Sequence, residues 1–298
     1  MNKLTAGRAL GVAALLALAS LAAPRGALGQ PNWERAEPAE AAAVELFRAT
    51  MLANFPTTES LGAGDWRYEI SHRFAPPVSE GFDANYGLDG PVTMRTSVSY
   101  GVTDRTMVTL GRSGLQDNWD LQVKRLIWQM EHETVPGAVA VQVGAAVNTE
   151  MPAVLDRGRL DGGNFQYYAQ LVYNTVIGER LGLGLVPSYV YNSYIFAVEK
   201  QYTLSLGMYG QYWLNDMFSL WAEYNPALRG YQGVIAPGET GRSHDSLALG
   251  TALETGGHMF YLFVTNSTRL NAAQYLVGAD RTVTLDNLRL GFGITRYM

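Results

Sequence analysis

The chain has 298 residues, 47% of them apolar, with 22 Lys and Arg against 27 Asp and Glu and no cysteine. A net charge of −5 leaves no basic stripe for phosphates, which argues against a nucleic-acid partner; without cysteine there is no disulfide framework, zinc ribbon or thiol chemistry. No stretch of about 18 apolar residues follows the first 29 positions, which excludes a helical inner-membrane protein.

Lys3 and Arg8 give a basic start, an apolar run extends from Ala9 to Ala23, and Ala27-Leu28-Gly29 offers small-x-small cleavage chemistry. This pattern predicts a signal peptide over 1–29 and a mature chain beginning at Gln30. The apolar run is too short to serve as an anchor and is broken at Pro24-Arg25. Losing it removes three basic residues and no acid, which moves the net charge from −5 to −8. Residues 30–65 are expected to form a periplasmic lead-in, mobile over 31–44. A short helix is expected from about Glu40 to Ala53, stopped before Pro56.

From Trp66 the pattern changes to period-two alternation in segments about ten residues long, the length of a tilted strand crossing hydrocarbon. Val92, Met94, Val98 and Tyr100 alternate with Thr93, Arg95, Ser97 and Ser99. Trp119, Leu121 and Val123 alternate with Asp120, Gln122 and Lys124. Val139, Val141 and Val143 alternate with Ala140, Gln142 and Gly144, and Leu181, Leu183 and Leu185 with Gly182 and Gly184. Tyr202, Leu204, Leu206 and Met208 alternate with Thr203, Ser205 and Gly207, and Leu247, Leu249 and Leu253 with Ala248, Gly250 and Ala252. One face is apolar and the other small or polar, which a helix would mix. Segments begin near residues 67, 92, 105, 119, 138, 165, 180, 202, 217, 245, 258 and 288. They predict an all-β, transmembrane antiparallel barrel of about twelve strands over 66–298.

The connections repeat the message. Tight turns are expected at 102–104, 177–179, 214–216 and 255–257, with longer links at 75–91, 148–164, 192–200, 227–242 and 266–285. Short turns alternating with long links are typical of outer-membrane barrels, and an even strand count keeps both termini periplasmic. The links near Gly114–Asp117 and Met130–Pro136 depart from the alternation, one short and one long. Aromatics on the apolar face are expected in two girdles. Tyr100, Tyr173, Tyr212, Phe218 and Phe260 are expected on the periplasmic side, and Trp119, Phe165, Tyr189, Tyr202 and Tyr224 on the other.

Several stretches carry a resemblance: Glu45-Leu46-Phe47-Arg48 followed by Gly62-x-Gly64-Asp65, Ile70-Ser71-His72-Arg73-Phe74, and Tyr100-Gly101-Val102-Thr103-Asp104 followed by Gly111-Arg112-Ser113. The most specific is Glu254-Thr255-Gly256-Gly257-His258-Met259-Phe260 with Thr265-Asn266-Ser267 after it. Across nearly the whole mature chain these resemble an uncharacterised family of bacterial outer-membrane β-barrel proteins, a domain of unknown function common in Bacteroidetes and their relatives. The resemblance implies the barrel and no activity. That family ends more typically in an aromatic than in Met298.

No enzyme chemistry emerges. His72, His132, His244 and His258 are not at metal-ligand spacing, and neighbours in His244-Asp245-Ser246 point to opposite faces of a strand. An outer-membrane phospholipase or protease needs a Ser-His pair with an orienting group, and no such set stands out on the outward faces. Glycine pairs such as Gly162-Gly163 lack the strand-to-helix context of a phosphate loop. The inward face is expected to carry Arg67, Glu69, Arg73, Arg95, Asp120, Lys124, Trp221, Glu223 and Asn225. These charges either form a salt-bridged ladder that fills the barrel or line a narrow aqueous path. Inward glycines at 144, 182, 184, 207 and 250 leave room for water or for close backbone approach. The expectation is a passive channel or small-solute translocator of the cell outer membrane. Its partners are outer-membrane lipids, the barrel-assembly machinery and an unknown small cargo, and it needs no cofactor. A non-conducting structural or partner-binding barrel is the alternative, and an outer-membrane phospholipase or protease the second.

Overall fold

In the computed structural model the described residues are 45–150, 156–196, 200–230, 232–236 and 239–298. The proposed signal peptide and residues 30–44 of the lead-in lie outside them. Residues with alternating apolar and small or polar side chains form twelve strands, in register with the periodicity: β1 Trp66–Pro77, β2 Val92–Thr103, β3 Thr106–Ser113, β4 Asn118–Met130, β5 Gly137–Asn148, β6 Phe165–Ile177, β7 Leu181–Tyr191, β8 Tyr202–Trp213, β9 Phe218–Asn225, β12 Ser246–Thr255, β13 His258–Thr265 and β14 Arg289–Tyr297. A separate two-stranded hairpin, β10 Gln232–Ala236 with β11 Glu239–Arg242, is inserted between β9 and β12.

Neighbours in the sheet pair antiparallel, and β14 pairs with β1 from Arg67 opposite Tyr297 to Arg73 opposite Gly291, so the barrel is closed. Closure leaves no unpaired edge, the condition for placing strands in a medium that cannot hydrogen-bond them. Among the described residues no helix is long and apolar enough to cross a membrane.

Both β1 and β14 have one end at the same rim, called here the near end. The links β2–β3, β4–β5, β6–β7, β8–β9 and β12–β13 are at that rim, and the longer ones, with the short Gly114–Asp117 link, are at the far end. The β12–β13 turn shows why the sequence needs Gly-Gly: Gly256 and Gly257 both take positive φ (31° and 89°), as a two-residue hairpin turn matching strand twist requires. Gly101 is fixed by close approach, since a Cβ there would lie 1.9 Å from the Gly62 carbonyl oxygen.

The expected helix over Glu40–Ala53 is not formed by its described part. Residues 45–53 are irregular and turn back on themselves: the Leu52 amide donates to the Phe55 carbonyl (2.9 Å), the Thr57 amide to the Thr50 carbonyl (3.1 Å), and Met51 bridges Pro56. Thr50, Asn54, Thr57 and Thr58 carry side chains that compete with helical hydrogen bonds, and the wall around them supplies partners that a helix would not use. Residues 46–61 thus make a hairpin-shaped finger. It does not lie outside the barrel as a lead-in would; it rises inside it.

Candidate functional site: an occupied lumen

Each expected lumen residue points inward and is buried, from Glu223 and Asn225 at 0% exposure to Trp221 at 4%. The structure brings four of them together as a charge ladder. Arg67 pairs with Glu69 (3.3 Å), Glu69 with Arg95 (3.6 Å), and Arg95 with Asp120 (2.9 Å) across β1, β2 and β4. The ladder follows from register, since Glu69 stands opposite Ser97 and Arg95 opposite Ser71, which leaves room for the long side chains to cross. Trp221 instead packs edge-on against Tyr261 and tilted against Phe263 (centroids 6.0 and 5.2 Å).

Lys124, Arg73 and Glu223 bind the finger. The Lys124 ammonium donates to the carbonyls of Thr50 and Thr57 (2.7 and 2.9 Å), and Arg73 to the Ala53 carbonyl and the Asn54 side chain (3.3 and 2.9 Å). Glu223 accepts from the Asn54 and Phe55 amides (3.1 and 3.2 Å) and from the Asn54 side chain (2.5 Å). The finger's rings enter the pits left by inward glycines. A Cβ on Gly207 would sit 2.3 Å from the Phe55 ring, and one on Gly182 would sit 2.7 Å from Phe47. Gly144, Gly184 and Gly250 are covered by Tyr168, Tyr209, and Phe263 with Trp221. At the near end Arg48 staples the finger's base to Asp216 (3.3 Å) and Glu254 (3.6 Å).

The far half of the lumen is occupied from the other side. The link between β13 and β14 folds inward through a one-turn helix, α1 Ala272–Tyr275, capped by Asn271. Asn271 donates to Asn118, Gln274 donates to the Leu115 carbonyl and accepts from Ser113, and Asn225 holds the Tyr275 carbonyl (3.2 Å). The Tyr275 ring meets the finger's Phe55 edge-on at 5.4 Å. Between finger, wall and link a cavity of about 30 Å³ remains, bordered by Arg67, Arg95, Lys124 and Asn271. It has room for a water or two.

Neither intrusion follows from the periodicity of the sequence. The finger's Leu46, Phe47, Leu52 and Phe55 follow no strand or helix period. Its one usable signal was the set of inward glycines at 182 and 207, too deep to be left empty in a close-packed interior.

The ten expected girdle residues all face outward. Tyr100, Tyr173, Tyr212, Phe218 and Phe260 are toward the near end, and Trp119, Phe165, Tyr189, Tyr202 and Tyr224 toward the far end. Arg229 stacks over Tyr202 (4.0 Å) and Arg112 over Trp119 (5.9 Å), both at the far end. Between the belts Leu121, Leu171, Leu204, Leu249 and Leu262 stand exposed, an apolar band no soluble monomer sustains.

The histidines are scattered. His72 stacks on Phe292 (4.4 Å), His258 on Phe260 (5.9 Å), and His132 accepts the Thr134 and Val135 amides. Asp245 takes the Tyr224 hydroxyl (2.5 Å) while Ser246 is buried inward, so the 244–246 triplet does not converge. Among the described residues no three His, Asp or Glu are grouped to hold a metal.

A closed twelve-stranded barrel with an apolar outer band and a lumen filled by its own chain is a membrane-bound β-barrel. The chain matches, over residues 47–298, the family model described as a membrane bound beta barrel domain (DUF5777), and it belongs to that family. Among solved structures it is similar to an outer membrane channel from Pseudomonas putida F1 (11% identity, 81% of this chain and 98% of that one, TM-score 0.48). It is similar also to the NanC porin (10% identity, 78% and 98%, TM-score 0.44) and to Omp33 of Acinetobacter baumannii (9% identity, 78% and 99%, TM-score 0.38). No curated protein matches it.

Proposed function

We propose that this barrel is a non-enzymatic, gated translocator for small solutes, exported by its signal peptide to the outer membrane, with its near end in the periplasm. The long links at the far end suit the cell exterior, and the apolar face of β14 (Leu290, Phe292, Ile294) suits delivery by the barrel-assembly machinery.

The observation that carries the reading is the polarity of the filled lumen. Arg73, Lys124 and Glu223 are fully buried, yet their partners lie mostly on a finger that contributes nothing to the barrel's ladder. A permanently solid barrel is more cheaply filled with apolar side chains, because each buried charge carries a desolvation penalty that its partners must offset. The same charges are at no disadvantage in a wall that is wetted whenever the finger withdraws. The burial of Phe47 and Phe55 in glycine pits favours the second reading, a barrel that never conducts.

Swelling of liposomes carrying the refolded full chain, in a panel of small sugars, amino acids and peptides, decides between them. Entry of at least one solute class above protein-free liposomes is expected. Swelling with none of them, from protein that is folded by its resistance to SDS before boiling, establishes the non-conducting barrel.

A further inference from the structure

The wall grips the finger chiefly by its main chain. On the donor side Lys124 serves two carbonyls and Arg73 one, while the Tyr209 and Tyr261 hydroxyls donate to the carbonyls of Pro56 and Met51 (both 2.9 Å). On the acceptor side Glu223 takes two successive amides, and the Asn174 side chain takes the Thr58 amide (2.7 Å). These groups come from β1, β4, β6, β8, β9 and β13, so they surround the segment. Side-chain-to-side-chain hydrogen bonds to the finger are fewer, centred on Asn54, with Arg67 to Thr50 and Thr58 to Asn174 besides.

Main-chain contacts are indifferent to the sequence of what they hold. They need carbonyls and amides in the order a polypeptide presents them, and any peptide in the same path supplies that order. Selectivity then falls to the pits. Phe55 lies over Gly207 between Tyr209 and Tyr275 (6.1 and 5.4 Å), and Phe47 lies over Gly182 against Tyr209 and Trp213 (5.5 and 5.6 Å). Both fit a flat aromatic ring.

We propose that the cargo is a short peptide bearing an aromatic side chain, which takes over part of the wall contacts of residues 50–58 as the finger withdraws. This rests on the translocator reading above. In such an exchange the carbonyls and amides of the peptide replace those of the finger as partners of Lys124 and Glu223, which limits the cost of baring them. A sugar of equal mass offers hydroxyls without the alternating spacing and has no ring for the pits.

The test compares swelling rates of liposomes carrying the full chain in Ala-Phe-Ala, tri-alanine and sucrose. Ala-Phe-Ala is expected to enter about tenfold faster than sucrose, with tri-alanine between them, the scale of one set of matched contacts. Lys124→Met and Tyr209→Phe, each checked for folding by SDS resistance, are expected to bring the ratio of Ala-Phe-Ala to sucrose toward one, whatever they do to either rate alone. Equal rates for all three solutes in the wild-type chain overturn the peptide assignment and leave the translocator standing. A peptide preference that both variants retain in full overturns the assignment of that preference to these wall groups. No entry of any solute overturns the translocator itself.

Discussion

Glu59 ties the two limbs of the finger together where they enter the barrel. Its carboxylate accepts the Leu46 and Phe47 amides (2.9 and 3.2 Å) from the opposite limb. Burial pushes the carboxyl from 4.5 up to about 7, with Glu45 adding to the rise, while the two amides and Lys124 oppose it. The docked finger therefore binds the proton more tightly than a withdrawn, hydrated one. The stabilisation is complete below the ordinary carboxylate range and is lost as pH rises through about 7, so the finger is held more firmly at pH 5 than at pH 8. A single thiol introduced as Ala53→Cys, in a chain with no cysteine of its own, reports withdrawal through its labelling by a water-soluble maleimide. Thiol reactivity itself rises with pH, so the comparison is with the same chain carrying Glu59→Gln, which keeps an acceptor and cannot ionise. The ratio of the two labelling rates is expected to grow from pH 5 to pH 8. A constant ratio removes Glu59 from control of the finger.

Finger and inward link meet tip to tip at Phe55 and Tyr275, one entering from each end, and so they obstruct the lumen in series. For two obstructions in series the path opens only when both are displaced. Replacing Asn271–Val277 by a Gly-Ser stretch of equal length is therefore expected to change bilayer conductance little. The same replacement combined with Lys124→Met is expected to give long-lived steps, and equal conductance of the single and combined variants excludes the series arrangement. These two elements are also the least legible in the sequence. The strands were legible because alternation, turn chemistry and girdle aromatics each recur along the chain, and the starts they imply lie within two residues of those of all twelve barrel strands, though not of the β10–β11 hairpin, which falls in an expected link. The inward ladder was legible because its charges fall on the inward phase of that alternation. The finger has no repeat to betray it: its shape is dictated by Lys124, Glu223 and Asn174, which stand between 67 and 169 residues in sequence from the finger atoms they bind and meet them only after the barrel has closed. The inward link is the same case, its short helix fixed by Asn118 and Ser113 across the lumen.

At the level of the whole molecule, wall and filling are separate structures with different supports. Every strand of the wall has both neighbours, and the closing pair β1–β14 begins at Arg67, past the end of the finger. The charge ladder Arg67–Glu69–Arg95–Asp120 is likewise complete within the wall. Removing residues 46–60 thus costs no ladder hydrogen bond. It strips partners from Lys124, Arg73 and Glu223, and the space left by the finger is lined by these charges and by the Tyr209 and Tyr261 hydroxyls, which water can serve in place of the finger. An apolar lumen emptied in this way would collapse or stay dry; this one is expected to hydrate and stand. The chain lacking residues 46–60 should still run as a compact, heat-modifiable species, migrating differently before and after boiling in SDS. It should lose that resistance at a lower temperature than the full chain, because the burial of Phe47, Leu52 and Phe55 is gone. Identical migration of boiled and unboiled samples would mean that the barrel cannot form without its filling. The finger would then be a structural core, and no cycle in which it leaves the lumen would be open to this protein.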